Sequence, residues 1–279
     1  MRRLIADGLS VNRGGRQVVA PLNASLEPGT LTAICGPNGA GKSSLIMALS
    51  GLLSPARGEV RLGDARLSDL SAKNRAKALG YLPQGSNIAW DVAVESLVAL
   101  GRHPHGDAVR GARGAAGRAA IESAIAATAI EGLRHRPASQ LSGGERARTL
   151  LARVLAGEPD WVLADEPLAA LDLAHQLSMI GHLRRCTQGA QGAQGAQGAQ
   201  GAQGAQDGLG HKQGVVIVLH DLALAMNHAD RVLVLQNGRL VADGLPEQAL
   251  AEPVIKEVWG IASCWLGEPG ARALVTGPK

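Results

Sequence analysis

One glycine-rich segment of the chain has the residue types and spacing of a loop that binds phosphate groups. Its members are Gly36, Pro37, Asn38, Gly39, Ala40, Gly41, Lys42, Ser43 and Ser44. Glycines let backbone N–H groups turn towards an anion, and a helix beginning at Lys42 would add its positive end. The Lys42 ammonium can reach phosphate oxygens, and the Ser43 hydroxyl can bind Mg²⁺. We therefore predict a nucleotide-phosphate site here rather than an ordinary glycine-rich turn.

Two adjacent carboxylates, Asp165 and Glu166, follow the apolar run at residues 161–164. Like charges at the end of a buried strand repel one another and are costly to desolvate unless a cation lies near. Mg²⁺ supplies such a cation. We interpret Asp165 as the carboxylate on the metal side and Glu166 as the group that polarises an attacking water.

Apolar runs on both sides of these residues predict the strands that position them. Residues 31–35, 161–164 and 215–219 are apolar almost throughout, which is typical of strands buried on both faces of a parallel sheet. Short β-type runs at residues 4–11 and 17–26 predict a small antiparallel element. The expected fold class is α/β: a P-loop NTPase core with a mainly parallel sheet, an N-terminal antiparallel β element and an inserted α-helical subdomain.

The composition changes along the chain and suggests how one domain, residues 1–279, is organised. Residues 86–140 are rich in alanine and arginine with helical spacing, which indicates a helical subdomain inserted between core segments 1–85 and 141–279. Within residues 188–210 the triplet Gln-Gly-Ala repeats, with little apolar surface to bury. We expect this stretch to be a flexible surface loop, and the last part of the chain to form a C-terminal extension.

Charge and cysteine usage exclude several classes of protein. The net charge of +4 is too small for a dedicated nucleic-acid protein, so we expect no nucleic-acid partner. Cys35, Cys186 and Cys264 lack the spacing of a zinc site or a disulfide framework. No apolar run is long enough to cross a bilayer, and the first residues do not form a secretion signal. The expectation is a cytoplasmic chain.

Further motifs make the chain resemble the nucleotide-binding subunit of ABC transporters, over nearly its whole length. The segment Leu141, Ser142, Gly143, Gly144 and Glu145 is similar to the signature sequence of that family, and Tyr81 to Gln84 is similar to its Q-loop. Asp172 lies in a segment that resembles the D-loop, and His220 resembles the switch histidine. Taken singly, the signature could be an ordinary capped helix start, and the histidine an ordinary residue at a strand end.

The resemblance implies a dimer in which two copies close head to tail around ATP. Each ATP would lie between the phosphate loop of one copy and Ser142, Gly143 and Gly144 of the other. It implies that Gln84 touches Mg²⁺ or the attacking water, with Ser43 and Asp165 as further ligands. His220 would contact the γ-phosphate, and Glu166 would be the catalytic carboxylate.

Two positions depart from the pattern of that family. Arg13 stands where related chains often carry a tyrosine that stacks on adenine; it could stack its guanidinium or simply be solvated. Ala169 and Ala170 replace the Ser-Ala pair that often precedes the D-loop aspartate. Neither departure removes a group needed for phosphoryl transfer.

Two stretches resemble importers of iron–siderophore complexes, haem and cobalamin. They are residues 94–105 and residues 173–176. The resemblance implies a peripheral ATPase on the cytoplasmic face of the membrane, beneath an integral permease that receives substrate from an extracytoplasmic binding protein. His103 and His105 could suggest a metal site, but we interpret them as exposed residues near a helix end. A soluble ABC ATPase without a transporter, or an export ATPase, stays open as an alternative.

Overall fold

A computed structural model describes residues 1–85, 88, 91–106, 114–169, 171–189 and 212–277. The strands among them are β1 Leu4–Arg13, β2 Arg16–Leu26, β3 Leu31–Cys35, β4 Arg57–Leu62, β5 Ala65–Arg66, β6 Leu79–Leu82, β7 Trp161–Ala164, β8 Gly214–Val218, β9 Arg231–Gln236, β10 Arg239–Gly244, β11 Ser263–Leu266 and β12 Ala273–Thr276. The helices are α1 Lys42–Leu49, α2 Ala72–Ala78, α3 Val94–Ala99, α4 Ala115–Ala127, α5 Gly143–Leu155, α6 Leu173–Gln188, α7 Leu222–His228, α8 Pro246–Ala249 and α9 Glu252–Trp259.

The chain divides into two compact units, and each is assembled from separate stretches of sequence. The first unit contains Ser71–Leu163 and Pro167–Val215, together with Met1. The second unit contains Arg2–Leu70, Ala164–Glu166 and Val216–Lys279.

In the second unit, an antiparallel sheet has the order β2-β1-β4-β5. Leu4 pairs with Leu26 of β2 and with Leu62 of β4, and all three side chains are buried. Buried apolar residues of three neighbouring strands therefore lie side by side in this sheet. This sheet confirms the antiparallel element predicted at the start of the chain.

The same unit holds one part of a mainly parallel sheet, in which β10, β9, β3 and the end of β8 lie side by side. β3 runs parallel to β9, with Ala33 opposite Val232, and every residue of β3 is buried. α1 follows β3 after the glycine-rich loop and buries Leu45 and Ile46. The predicted order of strand, loop and helix is confirmed. It brings the loop to the carboxyl end of β3.

In the first unit, the start of β8 lies beside β7, and β7 lies beside β6. Trp161 in β7 is fully buried. The backbone of Gly214 in β8 packs against that ring so closely that a Cβ there would lie 2.4 Å from Trp161 Cε3. The large indole of this aromatic-poor chain therefore requires glycine on the neighbouring strand. The strands predicted at residues 161–164 and 215–219 are confirmed within one residue at each end.

The described residues of the range 86–140 form helices and helical turns, in keeping with the predicted helical composition. α3 and α4 both pack on α5. Arg102 is buried, and its guanidinium Nη1 donates to Glu158 Oε2 at 2.6 Å and to the Ala156 carbonyl at 3.0 Å. A buried charge needs such partners. This contact fixes the helical turn Leu100–His105 to the end of α5.

The remaining predictions on chain organisation concern the repeat and the C-terminal part of the chain. The repeat from residue 190 onward lies outside the described residues, while α6 ends at Gln188 where the repeat begins. The C-terminal part forms the hairpin β11-β12, and Trp265 Nε1 donates to the Leu250 carbonyl at 2.8 Å.

Among the described helices, none has both the length and the apolar character needed to cross a membrane.

Candidate functional site

The glycine-rich loop approaches other backbone segments of the second unit at two points. A Cβ at Gly36 would lie 2.1 Å from the carbonyl oxygen of Leu235, and a Cβ at Gly41 would lie 2.4 Å from that of Val18. Gly36 and Gly41 also have φ values of 149° and 98°, which L side chains rarely adopt. Glycine is therefore required at both positions by space as well as by backbone conformation.

The Lys42 ammonium is held inside the loop. Its Nζ donates to the carbonyl oxygens of Gly36 and Pro37, both at 2.9 Å, and the residue is buried. Burial lowers the pKa of Lys42, although the nearby Glu166 carboxylate acts in the opposite direction. The loop therefore positions a cation at the start of α1, whose N-cap residue, Gly41, has no side chain to occupy the helix end.

Ser43 and Asp165 come together although they are far apart in sequence. The Ser43 hydroxyl donates to Asp165 Oδ1 at 3.1 Å, and Asp165 is only 3% exposed. A hydroxyl and a carboxylate are the hard oxygen ligands that Mg²⁺ prefers. The two residues therefore fit a magnesium site. The neighbouring Ser44 is buried in α1, while Asn38 and Gly39 at the tip of the loop are exposed.

Glu166 adopts a backbone conformation that is uncommon for a residue with a side chain. Its φ is 48°, in the left-handed region, which costs about 1–3 kcal/mol and is typical of functional sites. His220 Nε2 lies 2.6 Å from Glu166 Oε1. The 12% exposed carboxylate and the 43% exposed imidazole therefore form a close pair in the second unit.

His220 is positioned by the end of β8 and the start of α7. The N–H of Leu219 donates to the Ile34 carbonyl at 3.1 Å, which ties this chain segment to the end of β3. Asp221 then caps α7, because its Oδ1 accepts from the N–H groups of Ala223 and Leu224 at 2.8 and 3.0 Å. The sequence prediction missed Asp221, although an aspartate directly before a helical pattern is a capping signal.

The predicted signature residues lie in the first unit, at the start of α5. The Ser142 hydroxyl accepts from the N–H of Glu145, and Glu145 Oε2 accepts from the N–H of Ser142 at 2.8 Å. This reciprocal capping box lowers the pKa of Glu145, and Arg136 pairs with the same carboxylate at 2.9 Å. Gly143 and Gly144 form the first turn, and Leu141 is buried beside them. The capping box and the ion pair with Arg136 therefore both hold the first turn of α5 in place.

The predicted D-loop residue Asp172 caps α6 in the same unit. Its Oδ1 accepts from the backbone N–H of His175 at 2.9 Å and from His175 Nδ1 at 2.7 Å. The backbone bond, followed by the side-chain bond, lowers the pKa of Asp172. Ala169 lies in the preceding turn, and Ala170 is outside the described residues.

The other predicted residues have simpler surroundings. Gln84 is exposed, two positions after β6, and belongs to the first unit. Arg13 is exposed at the end of β1. His103 is exposed, whereas His105 Nε2 lies 2.9 Å from the Gly157 carbonyl oxygen. The structure thus gathers Lys42, Ser43, Asp165, Glu166 and His220 in the second unit, while Gln84, Ser142–Glu145 and Asp172 belong to the first.

Comparison with protein families adds an independent observation. The family described as "ABC transporter" matches residues 19–169, which is more than half of the chain. The chain belongs to the ABC transporter family. It is an ATP-binding, ATP-hydrolysing ABC ATPase, and the phosphate-loop and signature segments described above lie inside the matched range.

Relatives and solved structures of ABC proteins match almost the whole chain. The hemin import ATP-binding protein HmuV of Streptomyces coelicolor is 41% identical over 91% of this chain and 82% of its own length. HmuV of Myxococcus xanthus is 38% identical over 97% of this chain and 96% of its own length. Among solved structures, cbiO1 of Clostridium perfringens, part of the ABC transporter complex cbiONQ, gives a TM-score of 0.70 at 25% identity, covering 91% of this chain and 92% of its own. The ABC ATPase fold is confirmed.

Proposed function

We propose that this protein is the ATP-hydrolysing subunit of an importer that takes up haem. The observation that carries the proposal is its 41% identity, over most of both chains, to a protein described as a hemin import ATP-binding protein. The site geometry of the second unit supplies the chemistry of ATP hydrolysis. Uptake of an iron–siderophore complex or of cobalamin is the related alternative.

The phosphate loop would bind ATP through backbone N–H groups and one cation. Residues Gly36 to Ser44 surround the start of α1, and Lys42 is already held within the loop by two carbonyl oxygens. The Lys42 ammonium would then donate to a phosphate oxygen instead of to these carbonyl oxygens. That hydrogen bond is stronger because both partners are charged. The close backbone contacts of Gly36 and Gly41 would keep the loop in the shape that this binding requires.

Ser43 and Asp165 would hold Mg²⁺, with Gln84 as a further ligand. Their fit rests on the hydroxyl–carboxylate contact of 3.1 Å and on the burial of Asp165, since a buried carboxylate is stabilised by a cation. When bound, the ion neutralises charge on the β- and γ-phosphate oxygens. Asp165 itself orients the Ser43 hydroxyl by accepting its hydrogen bond.

Glu166 and His220 would act on the attacking water. The water oxygen forms a bond to the γ-phosphorus as the bond to the bridging oxygen of ADP breaks, and Glu166 orients the water and accepts its proton. His220, whose Nε2 lies 2.6 Å from Glu166 Oε1, would hold the carboxylate and contact the γ-phosphate. The left-handed backbone at Glu166 sets the direction in which its side chain leaves the chain directly after Asp165.

A second copy would complete the site. In this proposal the copies associate head to tail, and the capped turn Ser142–Gly144 of one copy meets the γ-phosphate held by the other. Asp172 would lie at the same interface. Hydrolysis removes the γ-phosphate contacts and lets the dimer open, and this motion would drive the permease.

The proposed location is the cytoplasmic face of the membrane, through contact with an integral permease. An extracytoplasmic substrate-binding protein would deliver haem to that permease and not to this subunit. The described helices include none that could cross the bilayer, so the permease would provide the membrane anchor in this arrangement. We propose no nucleic-acid partner.

Uptake measurements in a strain that lacks this subunit test the cargo directly. Haem, a ferric siderophore and a corrinoid are supplied separately, and the strain is complemented with the wild-type chain or with Glu166→Gln. The proposal expects the wild-type chain alone to restore haem uptake. Restoration of siderophore or corrinoid uptake without haem uptake would overturn the proposal that haem is the cargo. The proposal that this protein is an importer subunit would stand.

Purification of the subunit from membranes separates the importer from a soluble ABC ATPase. An integral protein that co-purifies with this chain, and whose loss abolishes haem uptake, is the expected result. A chain recovered without any membrane protein, with haem uptake unaffected by its deletion, would favour the soluble alternative. Export would be recognised in inverted vesicles, by ATP-dependent accumulation of cargo inside them.

A further inference from the structure

The imidazole of His175 packs directly on the backbone of Gly144. A Cβ added at Gly144 would lie 2.1 Å from Cδ2 and 2.6 Å from Nε2 of His175. Both residues belong to the first unit. The ring therefore occupies the space that any side chain at position 144 would need. Glycine at this position of the signature is explained by a contact with the segment that follows the D-loop.

Asp172 fixes the orientation of this ring. Its Oδ1 lies 2.7 Å from His175 Nδ1 and also accepts the backbone N–H of His175. Because an ionised carboxylate only accepts hydrogen bonds, Nδ1 carries the proton, and the Cδ2–Nε2 edge lies on the Gly144 side. The ring is therefore oriented by the D-loop and packed on the signature turn.

The contact joins the starts of two long helices. Gly144 lies in the first turn of α5, which has 13 residues, and His175 lies in the first turn of α6, which has 16. Each helix start is fixed by its own cap, Ser142 or Asp172. His175 adds a link between the two capped turns. A shift of one turn would therefore press on the other through the ring, which contacts both Gly144 and Asp172.

We propose that His175 is a positioning residue for ATP-dependent dimerisation. It holds the turn Ser142–Gly144 at a fixed position relative to Asp172, so that the backbone N–H groups of the turn meet the γ-phosphate bound by a second copy. The inference rests on the proposed head-to-tail dimer. In it, His175 touches neither ATP nor the reacting atoms and acts through Gly144.

The test measures the ATP concentration needed for half-maximal dimerisation in a Glu166→Gln background, by sedimentation. His175→Ala is expected to raise this concentration about tenfold, because the signature turn loses its fixed position. The affinity of the dilute monomer for ATP should change by less than about twofold, since that site lies in the second unit. A purely structural role would lower the melting temperature and both affinities together.

A double-mutant cycle identifies the contact itself. Gly144→Ala alone places a methyl group against the ring and should also weaken dimerisation, while Gly144→Ala in the His175→Ala chain has room for that methyl group. The two effects are therefore expected to be non-additive, with the double variant no worse than either single variant. Fully additive effects would overturn the proposal.

Controls separate this proposal from the proposed function. His103→Ala removes an exposed histidine of the same unit and should dimerise as the parent chain does. His175→Asn keeps an N–H donor for Asp172 but withdraws the ring from Gly144, and it replaces the alanine variant if that chain fails to fold. A parent chain that does not dimerise with ATP would overturn the dimer and this inference together. A dimerising parent with an unaffected His175→Ala would overturn the inference alone.

Discussion

His220 Nε2 lies 2.6 Å from Oε1 of Glu166, a pairing of residues 54 positions apart on two different strand ends. The left-handed backbone of Glu166 and the Leu219–Ile34 hydrogen bond fix the two ends of this contact. The pair lies beside Asp165, whose carboxylate accepts from Ser43. The structure thus brings together the carboxylate and the imidazole that the proposed function assigns to the attacking water and the γ-phosphate.

Glu166→Gln should abolish turnover while leaving ATP binding intact. The amide still accepts a hydrogen bond from the water but no longer accepts its proton, so the steady-state ATPase rate is expected to fall by about 10²- to 10⁴-fold. A closed dimer should accumulate with ATP, which size-exclusion chromatography detects. Glu257→Gln, at an exposed position of α9, is the charge-matched control and should retain activity. Turnover near the wild-type rate would contradict the role of Glu166.

Ser142→Arg should block ATP-dependent dimerisation. The substitution removes the cap of α5 and places a bulky cation where the proposed γ-phosphate contact forms. Loss of the dimer peak at saturating ATP is the expected result, with ATP binding to the phosphate loop retained. Ser96→Arg adds the same side chain at an exposed position of α3 and should dimerise normally. An undiminished dimer of Ser142→Arg would refute the prediction.

Gly101→Ala should destabilise the chain because there is no room for a methyl group. A Cβ at this position would lie 1.9 Å from the carbonyl oxygen of Arg153 in α5. Displacing backbone in a packed interior costs about 1–3 kcal/mol of unfolding free energy. Gly132→Ala, where no atom lies within 4 Å of the added Cβ, should change stability by less than about 0.5 kcal/mol. Urea unfolding of both variants measures the difference, and equal stabilities would argue against the tight contact.

His182 should make the stability of the folded chain depend on pH. Burial, followed by the charge of Arg185, lowers the pKa of His182 from 6.5 to about 4, and its Nδ1 donates to the Ala127 carbonyl at 2.7 Å. Between these two pKa values the unfolded chain binds the proton and the folded chain does not. The free energy of unfolding is therefore highest above pH 6.5. It falls by roughly 3 kcal/mol as the pH decreases towards 4.

Urea unfolding of the wild-type chain and of His182→Gln between pH 7 and pH 4 checks this sign. The glutamine variant should show a smaller loss of unfolding free energy over that interval, since glutamine does not titrate. His103→Gln, at an exposed position, should follow the wild-type profile. If His182→Gln also follows that profile, His182 does not carry the pH dependence.

Removal of residues 191–205 should leave both ATPase activity and melting temperature nearly unchanged. These residues are five Gln-Gly-Ala triplets, and the deletion keeps Gln188, at which α6 ends. Because the segment has little apolar surface, its removal costs little burial. A deletion of equal length within α6 is the contrasting control and should unfold the chain. A large loss of activity in the repeat deletion would assign the tract a function.

Much of the site was predictable because its signals are local. The phosphate loop sits between an apolar strand and the start of a helix, and Asp165 with Glu166 directly follows a buried strand. Strand ends and turn residues of this kind are determined by a few neighbouring residues. The signature turn was equally readable, since Ser142 and Glu145 have the spacing of a capping box.

The sequence alone determined which groups could do the chemistry, whereas the tertiary structure decided which of them touch. Ser43 and Asp165 are 122 residues apart and meet at 3.1 Å because β3 and the chain after β7 bring them to one place. The left-handed backbone of Glu166 and the ring of His175 on Gly144 left no local signal. Such contacts depend on the packing of distant segments, which residue types and their spacing do not specify.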